Sequence, residues 1–201
     1  KDFSIIHLHP NNHAGYYPDA KPISLKVVFD SESGKILGAQ AAGEDGVDKR
    51  IDVIATAIKG SLTINDLMDL ELSYAPQYGS AKDAINQAGY VGNNVITGNT
   101  PTLQWHQLDR YLADGWLLVD VRTADEHNRG YIPGSINIPV DEIRNKLSEL
   151  QNKQIVVHCQ VGQRGHTATQ ILKGHGIEVM NLDGGYKTWH SGMNARKRKE
   201  G

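Results

Sequence analysis

Ile155-Val156-Val157-His158-Cys159-Gln160-Val161-Gly162-Gln163-Arg164-Gly165 sets an apolar run, a short glycine-bearing loop and the approach to a helix in immediate succession. The run 155–158 is short, β-branched and uninterrupted, the pattern of a strand buried on both faces of a parallel sheet. Residues 166–173 read as the helix that follows. A strand, a loop with glycines and a helix N-terminus form an anion cradle, because successive backbone N–H groups and the positive end of the helix dipole converge on one point. Cys159 stands at the carboxyl end of the strand, where open parallel sheets bind their ligands.

Two readings of that cysteine compete. It is either a small buried hydrophobe or a reactive thiol. The placement of Gly162, Gly165 and Arg164 favours the second. Glycines let the loop curl without Cβ clashes, Arg164 brings a fixed positive charge that can orient an anionic substrate, and the cradle favours a thiolate, the nucleophilic form. These parts suit a nucleophile that takes sulfur from an anionic donor and holds it as a persulfide. Cysteine phosphatases use the same logic, but with five residues between Cys and Arg. Here there are four, which makes a narrower ring and favours a sulfane sulfur over a phosphate. His158 precedes the nucleophile and is expected to face the other side of the strand.

Outward from this loop, the second half alternates strands and helices. Residues 117–121, 136–138, 155–158 and 179–182 read as strands. Residues 124–129, 142–150 (capped by Asp141), 166–173 and 186–191 read as helices. That order predicts an α/β fold with a parallel sheet flanked by helices. The cluster Thr97-Gly98-Asn99-Thr100-Pro101 marks a boundary, which gives domains at 1–97 and 98–201.

The first half reads as α+β. Residues 23–29 alternate and 35–42 return as a hairpin through Asp30-Ser31-Glu32-Ser33-Gly34. Val47, Ile51, Ile54, Ala55 and Ile58 form one helical stripe that ends at Gly60. A short helix is expected over 63–70, and another capped by Ser80 or Asp83. The small residues Ala84, Ala88 and Gly89 on that last helix suggest close approach of another backbone in an interface.

Composition narrows the function classes. The 201 residues carry 21 Lys and Arg against 23 Asp and Glu, for a net charge of −2. Such a balance gives no electrostatic case for nucleic acid or an anionic membrane. The basic tail Arg196-Lys197-Arg198-Lys199 is read as a solvated end. One cysteine permits neither an intrachain disulfide nor a cysteine-only zinc site. His7, His9 and His13 lack a neighbouring carboxylate or thiol to complete a metal set. The chain opens on Lys1 and directly into a strand-like segment, so it is expected to be part of something longer. No secretory signal pattern is present, and with an unpaired thiol this predicts a cytoplasmic protein.

Residues 101–195 resemble the rhodanese sulfurtransferases. The resemblance rests on Leu118-Val119-Asp120-Val121-Arg122, Glu126, Gly130-Tyr131-Ile132-Pro133-Gly134-Ser135-Ile136-Asn137-Ile138-Pro139, the loop from Cys159 to Arg164, and Leu182-Asp183-Gly184-Gly185-Tyr186-Lys187-Thr188-Trp189. It implies that Cys159 carries the persulfide and that the amides of Gln160, Val161, Gly162, Gln163 and Arg164 bind the transferred sulfur. Asp120 and Arg122 match a buried charged pair near the loop, with a purely structural ion network including Glu126 as the alternative.

Residues 1–95 resemble the dimerisation domain of flavin-dependent pyridine nucleotide-disulfide oxidoreductases, of the coenzyme A-disulfide reductase and NADH-dependent persulfide reductase type. The matching segments are His9-Pro10-Asn11-Asn12-His13-Ala14-Gly15-Tyr16-Tyr17-Pro18, Lys35-Ile36-Leu37-Gly38-Ala39-Gln40, Val47-Asp48-Lys49-Arg50-Ile51-Asp52-Val53 and Tyr74-Ala75-Pro76-Gln77-Tyr78-Gly79-Ser80-Ala81-Lys82-Asp83. Asp19 departs from a common Gly, and Gln77 from a common Pro. The resemblance implies a homodimer through residues 1–97, in which Tyr16 and Tyr74 reach the partner subunit's substrate thiol, either as proton donors or as interface aromatics. It also implies FAD, NADH and coenzyme A for the full-length protein. This chain has no Gly-x-Gly-x-x-Gly after a strand and no second cysteine, so neither cofactor binding nor reductase activity is expected from it alone. The sulfur donor would be thiosulfate, a polysulfide or a coenzyme A persulfide. The competing function is a non-catalytic dimerisation and persulfide- or anion-binding module.

Overall fold

Ile23, Leu25, Val27 and Phe29 point every second side chain of one strand into a core, and the first sheet is built around them. The computed structural model describes residues 2–200. Its chain divides into two units, Lys1–Gly98 and Asn99–Gly201. Among the described residues, no helix is long and apolar enough to cross a membrane.

In the first unit, β1 (Phe3–Leu8), β2 (Ile23–Asp30) and β3 (Ile36–Gly43) form an antiparallel sheet in that order. Asp30 closes the hairpin by accepting from the Ser33 N–H and hydroxyl, both at 2.8 Å. α1 (Val47–Lys59) packs on the sheet, but its buried face is Arg50, Ile54 and Ala57. Ala55, expected in the stripe, is exposed. The helix is rotated because Arg50 is itself buried. Its guanidinium donates to Asp83 and to the backbone carbonyls of Asn12 and Gly46.

Asp83 also caps α2 (Ala84–Ile96), accepting from the Ile85 N–H while the Asn86 side chain accepts from the Asp83 N–H. This reciprocal box fixes the helix start and leaves Ser80 out of it. The close approach of another backbone expected at the small residues of α2 is made within this unit. Asn65–Asp69 forms a short 3-10 turn, and a Cβ on Gly89 would lie 2.6 Å from the Met68 nitrogen.

In the second unit, β4 (Thr102–Leu103), β5 (Leu117–Asp120), β6 (Ile136–Asn137), β7 (Gln154–His158) and β8 (Glu178–Leu182) form a parallel sheet in the order β4-β8-β7-β5-β6. The helices are α3 (Leu108–Ala113), α4 (Ala124–Asn128), α5 (Leu147–Leu150), α6 (Gln163–Gly174) and α7 (Gly185–Glu200). Side chains alternate between two cores. Val119, Ile155 and Val157 meet Ala168 and Leu172 on one face, while Leu118, Val156 and Leu182 meet Leu108 on the other.

Several expected elements differ in detail. The helix over 142–150 is a 3-10 segment, Val140–Lys146, followed by the single turn of α5, and Pro139 rather than Asp141 stands at its start. Val140 and Ile143 both pack on the core, and a three-residue period serves that spacing. α6 begins at Gln163, so Arg164 lies inside the helix. α7 continues through the basic tail, whose residues are helical and exposed.

Opposite effects are expected at two helical glycines. Gly89→Ala should destabilise the first unit by about 1–3 kcal/mol through overpacking against backbone. Gly174→Ala has open space around it and should stabilise the second by about 0.5 kcal/mol. Urea midpoints of the two variants check both signs.

Candidate functional site

Cys159 follows directly on β7, which lies between β8 and β5, and its side chain is 1 % exposed. Gly162 turns the loop into α6 with φ 103°, a conformation open to glycine, and its N–H donates to the Cys159 Sγ at 3.2 Å. The loop is held from behind by α7. The Tyr186 N–H donates to the Cys159 carbonyl at 2.8 Å, and the Lys187 N–H to that of Gln160 at 3.0 Å. In a planar trans peptide, N–H and C=O point in opposite directions. Turning these two carbonyls to α7 therefore turns the Gln160 and Val161 N–H groups away from it. Gly185 permits the approach, since a Cβ there would lie 2.5 Å from the Cys159 carbonyl oxygen and 2.9 Å from the Val161 nitrogen. Gly165 is packed on Asn181, whose side-chain N–H donates to the Gly162 carbonyl at 3.2 Å.

Two ion networks flank this loop. Arg122 donates from Nε and Nη2 to Asp120, from Nη2 to the Gly130 carbonyl at 2.7 Å, and from Nη1 to Gln160 Oε1 at 3.2 Å. Its guanidinium lies 4.3 Å from the centre of the Tyr186 ring. His127 meets the same Asp120 carboxylate at 2.9 Å. Burial pushes Asp120 up, but the Arg122 hydrogen bonds and neighbouring positive charge outweigh it, and the carboxyl stays below its ordinary range. His158 is fully buried on the Asp120 side of the strand, paired in register with it. Burial pushes His158 down to about 4, so it is neutral at pH 7, and no hydrogen bond reaches its Nε2.

The second network is a pair. Arg164 Nη1 and Nη2 donate to the two oxygens of Glu126 at 2.6 and 2.7 Å. Glu126 is thus the partner of Arg164 rather than a member of the Asp120–Arg122 network, which corrects the expected ion set. A cleft of about 240 Å³ beside the loop is lined by Arg122, Glu126, Arg129, Gly130, Gln160 and Tyr186.

In the first unit, the Tyr16 and Tyr74 hydroxyls meet at 2.9 Å although they stand 58 positions apart in the chain. The loops that carry them are tied together by the Ala14 N–H, which donates to the carbonyls of Gly79 at 2.9 Å and Pro76 at 3.2 Å. Arg50 braces both through Asn12 and Asp83. The hydrogen bond shared with Tyr16 favours the protonated phenol and raises Tyr74 above its ordinary value. Both rings are exposed. Asp19, the departure from glycine, adopts φ 66°, which aspartate tolerates better than most residues. No cluster of His, Cys, Asp or Glu able to hold a metal occurs among the described residues. His9 instead meets the Ser24 hydroxyl at 3.1 Å, and His13 its neighbouring Ala14 carbonyl.

Two families match the two units. The pyridine nucleotide-disulphide oxidoreductase dimerisation domain matches residues 2–85, and the rhodanese-like domain matches residues 104–192. The reduced Bacillus anthracis CoADR-RHD crystal structure is 50% identical, with a TM-score of 0.94 over 97% of this chain and 35% of its own. The chain carries a dimerisation domain of the pyridine nucleotide-disulphide oxidoreductase kind followed by a rhodanese-like domain. A NAD-dependent persulfide reductase from A. fulgidus is 35% identical, with a TM-score of 0.83 over 94% of this chain and 34% of its own. The coenzyme A disulfide reductase of Staphylococcus epidermidis is 43% identical over 89 residues, which is 44% of this chain. The chain spans 20% of that relative's length and about a third of the two crystal structures' chains.

Within the rhodanese-like domain, the Thr123–Glu126 box and Gly185 had sequence signals whose meaning depended on tertiary packing, whereas Arg129 had none. Thr123 and Glu126 form a capping box on α4, legible as T-x-x-E, but nothing local shows that Glu126 then faces Arg164. Gly185 belongs to a quoted motif, and its role appears only when α7 meets the loop. Arg129 stands in the cleft with no motif of its own.

The Arg164 hydrogen bonds, followed by those of Thr123, hold Glu126 at about 2 against its partial burial. A carboxyl lowered on folding stabilises above its unfolded value of 4.5, and that contribution is lost as pH falls toward 2. Glu126→Gln should therefore melt below wild type at pH 6, with a gap that closes toward pH 3. Thermal unfolding across that range checks it.

Proposed function

We propose that the chain performs rhodanese-type sulfur transfer through a Cys159 persulfide, as the C-terminal part of a flavin-dependent NAD(P)H persulfide, polysulfide or coenzyme A-disulfide reductase. The observation that carries this is the Gly162 N–H on Sγ in a loop whose first two carbonyls are turned outward. The Cys159 thiolate attacks the outer sulfur of a donor. With thiosulfate, the S–S bond breaks, sulfite leaves with the electron pair, and Cys159–S–S⁻ remains. The negative charge stays on the terminal sulfur, where the N–H groups of residues 160–164 stabilise it in place of water. Asp120 and Arg122 support the loop by holding the Gln160 side chain. The Glu126 carboxylate fixes Arg164 beside the cradle.

In this reading residues 1–97 form the dimerisation domain and 98–201 the sulfurtransferase domain of a cytoplasmic homodimer. FAD, NADH and coenzyme A would bind elsewhere in the full-length protein, because the strand ends of this chain carry no dinucleotide-binding glycine turn. A bound flavin would supply the electrons for reduction. Tyr16 and Tyr74 would lie at the partner subunit's reductase site, where a phenol hydrogen-bonded to a second phenol can donate a proton to a departing thiolate. The exposed, hydrogen-bonded pair supports that role over simple packing.

Exposure to thiosulfate or a polysulfide should add about 32 Da to Cys159, and Cys159→Ser should abolish the adduct. An unmodified thiol under excess donor contradicts the proposal. In the intact enzyme, Tyr74→Phe should lower the rate of disulfide reduction by about a hundredfold, measured as NADH oxidation. An unchanged rate would leave the pair with a packing role alone.

A further inference from the structure

The cationic side chains around the loop are unequally committed. Arg164 gives both of its terminal nitrogens to Glu126. Arg122 is 2 % exposed and is spent on Asp120, the Gly130 carbonyl and Gln160. Arg129 differs: it is exposed, it lines the same cleft, and among the described residues no ion pair or hydrogen bond holds its side chain. With Asp120 balanced by Arg122 and Glu126 by Arg164, the guanidinium of Arg129 is the uncompensated charge in the cleft lining.

The cleft is placed for a substrate body rather than for the sulfur alone. Gln160, the residue next to the nucleophile, lines it, and Arg122 anchors the Gln160 side chain there. The Arg129-Gly130 segment also lines it, pinned because Arg122 holds the Gly130 carbonyl at 2.7 Å. At about 240 Å³ the space equals roughly eight waters. That is more than a sulfane sulfur needs and less than the ~300–1,000 Å³ of pockets for larger ligands. One planar guanidinium matches one carboxylate in a two-point contact. The Glu126 carboxylate in the same lining disfavours a dianion such as a phosphate monoester.

We propose that this cleft is the subsite for the carboxylate of a small organic persulfide, and that Arg129 is the residue that recognises it. This deepens the reading of Cys159 as a sulfur acceptor and rests on it. With the carboxylate on Arg129, the outer sulfur is presented to Cys159. The Cys159 thiolate attacks it, the Sγ–S bond forms, the donor S–S bond breaks, and the carrier leaves as a thiolate. The proton of the persulfide stays on the terminal sulfur or passes to solvent, so no oxidant or reductant is consumed.

Two donors that differ by one carboxylate, cysteine persulfide and cysteamine persulfide, test this on the 201-residue chain. The readout is the second-order rate of the ~32 Da gain on Cys159, with thiosulfate as a reference donor. Wild type should prefer cysteine persulfide by about ten- to a hundredfold, and in R129Q the ratio should fall to near one. R129K, which keeps a point charge but loses the fork, should lie between. A ratio near one in wild type, or the same ratio in R129Q as in wild type, overturns the subsite. Failure of all three donors to load Cys159 would instead overturn the sulfur-transfer reading, and the subsite with it.

Discussion

Two hydrogen bonds from the first turn of α7 determine what the cysteine loop can do. The N–H groups of Tyr186 and Lys187 take the carbonyls of Cys159 and Gln160, and the geometry of the peptide bond then commits the neighbouring N–H groups to the other side. The cradle is thus shaped by a segment far along the chain. It also explains why two glycines precede Tyr186: Gly184 and Gly185 adopt φ 64° and 61°, and any side chain at 185 would occupy the loop's own backbone. The helix that follows supplies donors where a solvent-exposed loop would have used water.

Charge around the loop follows a similar economy. The two arginines that flank the loop each have an anion assigned, Arg122 to Asp120 and Arg164 to Glu126. An unpaired buried charge would cost several kcal/mol, so these pairs hold the side chains in fixed positions. The consequence is that Arg164, which lies beside the cysteine in sequence, is restrained rather than free to follow a substrate. In the first unit, Arg50 plays the corresponding part. Its bonds to Asp83 and the Asn12 carbonyl connect the loop of Tyr16 to the helix that follows the loop of Tyr74.

Much of this was legible in the sequence because it is local. The alternation of Ile23 to Phe29, a cap at Ser80 or Asp83 and the strand–loop–helix grammar around Cys159 are each written within about ten residues. Elements whose form is decided by packing were not legible in the same way. The 3-10 turn at Val140–Lys146 follows from where Ile143 must bury, and the rotation of α1 follows from a buried Arg50 that a hydrophobic stripe cannot register. β4 and α3 are too short, or too weakly periodic, to stand out. For the site, Cys159 and its loop could be read directly, whereas the partner of Arg164, the clamp by α7 and the meeting of Tyr16 with Tyr74 are long-range contacts that no spacing rule encodes.

Amide spectra of the chain before and after sulfur loading show where the charge of a loaded cysteine resides. If the loop stabilises a Cys159 persulfide, the N–H resonances of Gln160, Val161, Gly162 and Gln163 should shift downfield together as the adduct forms, and revert when it is reduced. Loading that leaves those amides in place, or that moves instead the residues around Asp120 and His158, would contradict the account.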